Sequence, residues 1–457
     1  MLTYSHRASR RAHRACHAAV AGATLVLGLL QAPAALAALP ITHWTRPDGA
    51  QVYFVASPAV PMVDAQVDFD AGSRRDPAAQ AGLAQRMAAM TDKGVLAHGT
   101  EPALDENGTD DAWADLGAQF GGGAGADRMS FNLRSLSDPA LLDSAARLAA
   151  RQMGEPSFPD DVWQRERQRL AAALREAETR PATQAARAYA QAVYGTHPYG
   201  QRTTEATLAA ISVADMRALH TRLLHACAAK VSIVGALDRA QADTLAGTLL
   251  SRLPPGGCEA LPPVAEVVPL AAPQEVRIPF QSAQAHVFIG QPGVPRSNPD
   301  YFALTVGNYI LGGGGFVSRL TEQVREKRGL SYSVYSGFDF GTHAGAFTVG
   351  LQTRPDQAGQ AVQVAREVLA GFVAGGPTAA ELKAAQDNLI GGFPLRIDSN
   401  SKLIGNVANI AWYGLPLDYL DTWTAQVRKV TVADVRGAFQ RALDPGRMAT
   451  VVVGGKP

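Results

Sequence analysis

Residues 212–235, SVADMRALHTRLLHACAAKVSIVG, and residues 431–454, TVADVRGAFQRALDPGRMATVVVG, read as two versions of one segment. In each, a Ser or Thr stands before a helical pattern with Asp three positions on. This is the signature of a capped helix start, and the acid is favoured by the helix dipole. Each helix then leads to an apolar, β-branched run, Lys230–Gly235 and Thr450–Gly454, that reads as a buried strand. A second pair lies earlier in each copy. The strand-like Met129–Leu133 ends at Ser137-Asp138-Pro139 before a long helical stretch, and Phe347–Leu351 ends at Arg354-Pro355-Asp356 before another. The offsets are 219 (431 minus 212) and 218 (347 minus 129), close to half of the 457 residues. One large internal repeat indicates a duplication, not a solenoid.

Between the copies runs Leu253-Pro254-Pro255-Gly256-Gly257, followed by Pro262-Pro263 and Pro273. Such a stretch neither continues a helix nor fills a central strand. The predicted organisation is an N-terminal domain over 38–252, a linker over 253–275 and a C-terminal domain over 276–457. Strands and helices come in blocks within each copy. The expected fold is therefore α+β: two homologous domains, each a largely antiparallel sheet with helices packed on one face.

The first 37 residues read as a signal peptide. Arg7, Arg10, Arg11 and Arg14 precede an uncharged stretch, Ala18–Leu30, and Ala35-Leu36-Ala37 supplies a small-x-small cleavage pattern. The apolar run is short for a bilayer span, so the expectation is a periplasmic product, cleaved near Ala37, with no stable membrane insertion. Without that segment the chain has 38 basic and 41 acidic residues. A near-neutral surface of this kind gives no footprint for nucleic acid. Export leaves Cys227 and Cys258, which either pair in the oxidising compartment or remain as two free thiols.

Early in the first copy, Asp70-Ala71-Gly72-Ser73-Arg74-Arg75-Asp76-Pro77 leads to Gly82-Leu83-Ala84-Gln85-Arg86-Met87-Ala88-Ala89-Met90. This strand, turn and helix resembles the opening of the pitrilysin/insulinase family of inverted zinc peptidases. There, two histidines one turn apart hold zinc and a glutamate between them activates water. The frame Gly82-Leu83-Ala84 and Met90 is kept, but Gln85 and Ala89 stand at the histidine positions and Ala88 at the general base. The third ligand of the family, a glutamate on a later helix, maps onto Ala173 in the stretch that ends at Pro181. No pair of the histidines after residue 37 has the i, i+4 spacing of a helical zinc site. The resemblance therefore implies no metal and no catalytic residue in this chain.

The second copy contains Gly312-Gly313-Gly314-Gly315-Phe316-Val317-Ser318-Arg319-Leu320, then Val324-Arg325-Glu326-Lys327-Arg328-Gly329-Leu330-Ser331-Tyr332. It resembles the family's second signature, a glycine-containing turn, S-R-L, and R-E-x-x-G-L-x-Y. By that resemblance Arg325 and Tyr332 contact peptide substrate, and the loop at Gly313, Gly314 and Gly315 handles it. The spacing suits this: Gly329 can end the helix bearing Arg325, and a strand over Leu330–Phe340 is expected to place Leu330, Tyr332 and Val334 on one face. What the resemblance implies as a whole is the non-catalytic Arg/Tyr subunit of a heterodimeric bacterial member. Its expected partners are peptide substrates and a catalytic subunit with intact H-x-x-E-H that carries the zinc. The alternative is a stand-alone peptide-binding pseudo-peptidase.

Overall fold

The helix starts that reveal the duplication are capped as their residues require. In the computed structural model, which describes residues 40–256 and 258–455, the Ser212 hydroxyl accepts the Asp215 N–H at 3.2 Å, and the Asp215 carboxylate accepts the Ser212 N–H at 2.8 Å. Thr431 and Asp434 repeat the arrangement at 3.1 and 2.9 Å. Helices Val213–Leu223 and Val432–Ala442 follow. The expected signal segment lies outside the described residues.

The strands, in chain order, are β1 Thr42–Thr45, β2 Gln51–Ala56, β3 Met62–Phe69, a short pair β4 Gly94–Val95 and β5 Leu104–Asp105, then β6 Gln119–Ala124, β7 Met129–Leu136 and β8 Lys230–Gly235. The second half supplies β9 Gln274–Ile278, β10 Ala285–Pro292, β11 Val334–Phe340, β12 Ala344–Thr353 and β13 Ala449–Val453. They form one sheet ordered β1-β2-β8-β3-β7-β6 and another ordered β11-β12-β10-β13-β9. Set aside β1 and the two orders are the same, strand for strand. In each sheet a single parallel pair, β2 with β8 and β9 with β13, joins an otherwise antiparallel ladder. The expected α+β fold, twice over, is present.

Alternation along β3 decides what lies on each face of the first sheet. Val63, Ala65, Val67 and Phe69 enter a core shared with helices Leu83–Met90, Pro139–Gly154, Val213–Leu223 and Arg239–Leu250. Asp64, Gln66 and Asp68 point the other way, and that face is covered by helix Asn400–Tyr413 of the second half. Arg128, bonded to Asp68, donates to Ala408 O at 3.2 Å, and Lys230 Nζ donates to Ala411 O and Trp412 O at 2.8 and 3.0 Å. A cation at the end of a helix meets the negative pole of its dipole.

The exchange is reciprocal. Helix Pro181–Tyr194 of the first half lies on the second sheet, where Ala185, Tyr189, Ala192 and Val193 meet Ala346, Ala449, Val451 and Val453. Tyr189 Oη donates to Phe347 O at 2.9 Å, and the Ala346 N–H donates to Tyr194 Oη at 2.7 Å. The two exchanged helices stand 219 residues apart (400 minus 181), the repeat offset itself. Between Leu250 and Gln274 the described residues form neither helix nor strand. Cys227 and Cys258, left open by the sequence, are joined as a disulfide.

Candidate functional site

The remnant of the metal site sits where the first sheet meets its own helices. Gly82 turns the chain into helix Leu83–Met90 at φ 106°, and a Cβ there would lie 2.3 Å from Thr203 Oγ1. The exposed amide groups of that first turn are taken by Asp76, whose carboxylate accepts the N–H groups of Gly82 and Ala84 at 2.9 Å each. Burial pushes the Asp76 carboxyl up to about 6, against those hydrogen bonds.

Gln85 and Ala89 stand one turn apart on the exposed side of this helix, whereas Ala88 is buried with its carbonyl facing Gly122. Gln85 borders an open cavity of about 640 Å³, opposite Leu174, Ala177 and Glu178 near the end of helix Asp160–Glu178. Ala173 lies exposed one residue before that wall and does not border the cavity. One amide and three methyl groups offer no imidazole, thiolate or carboxylate to a zinc ion. Among the described residues no three His, Cys, Asp or Glu side chains come together to hold a metal. The buried histidines point to other roles: His220 Nε2 bonds Met153 O at 2.6 Å, His197 Nε2 bonds Ala265 O at 2.9 Å, and His343 Nδ1 meets Glu266 at 2.9 Å. The residues present do not fit the family's metal.

The second signature builds a different surface. Helix Tyr301–Asn308 widens over Tyr309–Gly313 into a π turn, with the Gly314 N–H reaching Tyr309 O at 2.8 Å. A Cβ on Gly314 would fall 2.6 Å from that same carbonyl, and Gly315 adopts φ 61°. The glycines are thus required by the turn itself. Arg319 of the S-R-L triplet anchors the loop: its guanidinium grips both oxygens of Glu381 at 2.6 and 2.7 Å and donates to Gly376 O. Arg319 holds the Glu381 carboxyl down to about 2, although burial acts in the opposite sense.

A second widened turn, Thr321–Glu326, carries Arg325. Such π turns are rare and cluster at functional sites. Gly329, at φ 61°, ends it, with its N–H on Arg325 O at 2.8 Å. The Arg325 guanidinium lies 4.8 Å from the ring centre of Tyr332 and 4.6 Å from that of Phe316, held between two aromatic faces. The acid beside it is its neighbour Glu326, at 3.2 Å. Tyr332 is 81% exposed and Phe316 70%.

One local expectation is corrected. The strand begins at Val334, not Leu330, and Leu330 and Val334 are buried while Tyr332 faces outward. The cause is Ser331, whose hydroxyl bonds Ser333 O and Gln352 O at 2.6 and 2.7 Å and bends the segment before the ladder starts. The structure also adds Phe316 to the pair. Its signal in the sequence was present, an aromatic residue closing a glycine run, but its contact with Arg325 depends on how the loop folds back.

Comparison with known proteins is consistent with this geometry. A family model described as the peptidase M16 inactive domain matches residues 210–389. The crystal structure of a peptidase M16 inactive domain from Pseudomonas fluorescens is 33% identical, covers 92% of this chain and 98% of its own, and superposes with a TM-score of 0.86. An uncharacterized zinc protease of Streptomyces coelicolor is 34% identical over 165 residues, 36% of this chain and 35% of that protein. The non-peptidase homolog YmxG of Helicobacter pylori is 29% identical over 174 residues, 38% of this chain and 40% of that one. These alignments span little more than a third of the curated relatives' length. With the Pseudomonas structure 33% identical and matched over nearly its whole length, the chain belongs to the M16, or pitrilysin/insulinase, family of peptidases, without that family's zinc ligands.

Proposed function

We propose that this chain is the non-catalytic, substrate-binding subunit of a periplasmic heterodimeric zinc peptidase, whose zinc and general base come from a partner carrying H-x-x-E-H. The observation that carries the reading is the Arg325 guanidinium, fixed between Phe316 and Tyr332 with both rings open to solvent. A cation held this way, beside one exposed acid, is a preorganised donor for peptide carbonyls. The Tyr332 hydroxyl stands free to donate to the carbonyl under attack, where negative charge grows. The loop at Gly313, Gly314 and Gly315 would lie alongside the peptide backbone. Since Gln85, Ala88, Ala89 and Ala173 can neither bind zinc nor move a proton, the chain has no hydrolytic step of its own.

The test is peptide hydrolysis by the purified chain, by its H-x-x-E-H companion, and by the mixture. Chelator-sensitive activity in the mixture alone supports the assignment. Inactivity in all three, with peptide still bound by this chain, would favour the stand-alone peptide-binding reading. Zinc-dependent hydrolysis by this chain alone would overturn both.

A further inference from the structure

The second half of the chain holds a pocket that the proposed function does not use. It lies between helices Tyr301–Asn308, Asn400–Tyr413 and Tyr419–Lys429, beside the end of β11, and its volume is about 260 Å³. Tyr301, Phe340, Phe393, Tyr413, Tyr419 and Trp423 bring rings to its walls. The charged side chains there are Arg296 and Arg396, and among the described residues no Asp or Glu lines it.

Both cations are set in place by the fold. The Arg296 N–H donates to Gly341 O at 2.8 Å. Its guanidinium lies 3.5 Å from the ring centre of Tyr301 and donates to Tyr419 Oη at 2.7 Å. Burial raises the pKa of the Tyr419 hydroxyl, so this acceptor stays neutral. Arg396 is exposed, with its guanidinium 5.6 Å from the ring centre of Trp423. The short turn that carries it, Pro394–Arg396, is pinned by Lys402 and Asn406, which donate to Leu395 O and Arg396 O at 2.9 and 3.1 Å.

Neither charge is matched. The acids nearest in sequence are engaged elsewhere, Asp300 with Arg441 at 2.7 Å and Asp398 with Lys402 at 2.9 Å. Ring faces attract a guanidinium but do not neutralise it. Asn409 adds a further donor to the wall, since its carbonyl oxygen accepts from Arg128 at 2.8 Å and its amide N–H2 group is left over. A pocket of donors and rings without an acceptor carboxylate is complementary to an anion.

We infer that this pocket binds a small organic acid, a carboxylate carried on an apolar or aromatic body, with Arg296 and Arg396 holding the carboxylate and the rings packing the body. The volume is below the roughly 300–1,000 Å³ of sites for drug-sized ligands. It suits a single ring with its carboxylate, either as a free acid or as the C-terminal residue of a peptide. The site shares no residue with the Arg325 surface and does not rest on the peptidase reading.

The test is isothermal titration calorimetry on the purified chain with N-acetylphenylalanine, its amide, inorganic phosphate and an alanine/serine peptide ending in phenylalanine. One charge-assisted hydrogen bond predicts the acid to bind at least about tenfold tighter than the amide. Tighter binding of the acid than of the peptide supports a free ligand, and the reverse supports a chain terminus. Arg396→Ala, at an exposed position, should weaken the acid about tenfold with the melting temperature unchanged. Arg296→Lys, which keeps the charge and loses the planar fork, should weaken it as well. Equal binding of acid and amide, or phosphate bound more tightly than the acid, overturns the inference. So does binding that survives both variants and is lost in Arg325→Ala, or a dissociation constant above about 10 mM for the acid and the peptide alike.

Discussion

Tyr332 and Arg325 were legible before any coordinates because their motif is local: the helix end, Gly329 and the aromatic lie within eight positions. Their surroundings were not. Phe316 reaches Arg325 only because two π turns bring the glycine loop back over the helix. Two consequences belong to this scale. In the proposed two-subunit peptidase, Arg325→Ala should lower kcat/KM by about 100-fold, the loss expected for one preorganised donor. Tyr332→Phe should do likewise, and size-exclusion chromatography should find assembly intact for both. Unchanged turnover in both variants would remove the site assignment. Asp76 offers a test that needs no partner. Its folded-state pKa, about 6, lies above the ordinary value of 3.8. Between those values the folded chain keeps a proton that the unfolded chain releases, so its contribution weakens as pH rises through that window. Relative to Asp76→Asn, wild-type stability should therefore fall by on the order of 3 kcal/mol from pH 4 to pH 7 in urea titrations.

At the scale of elements, the capped helix starts at Ser212 and Thr431 follow from short-range chemistry and were readable as such. The beginning of β11 was not, because Ser331 makes a contact across to Gln352 that no pattern of period two reveals. The disulfide is of the same kind. Cys227 follows helix Val213–Leu223 and Cys258 stands in the connection to the second half, with Cα atoms 5.8 Å apart at a sequence separation of 31. Closing a loop of that size stabilises a fold by about 3–4 kcal/mol through the unfolded state. Replacing both cysteines by serine should lower the denaturation midpoint accordingly, and adding a reductant to that variant should change nothing further. A reductant-sensitive midpoint in the double variant would show that the difference arises elsewhere.

For the whole molecule, the reciprocal exchange of helices Pro181–Tyr194 and Asn400–Tyr413 has a mechanical meaning. Neither sheet closes with its own half of the chain, since one face of each is covered by the other half. Residues 40–455 should accordingly unfold in one cooperative transition, with coincident far-UV and near-UV midpoints. Two separated transitions would mean that the halves are stable without the exchanged helices. The same exchange walls an open groove on the polar face of the first sheet, where Ile404 of the exchanged helix meets Asn132, Arg134 and Asp64.

The sequence alone determined the duplication, the α+β class, the loss of zinc-binding residue types and the Arg325/Tyr332 pair. Each of these is carried by residue identity or by spacing within one or two turns, where local geometry is nearly fixed. Tertiary structure alone decided the helix exchange, the stacking of Phe316 on Arg325 and the pairing of Cys227 with Cys258. In those cases the partners are remote in the chain. Whether a buried carboxylate is matched, or a sheet face covered, depends on which distant segment arrives there.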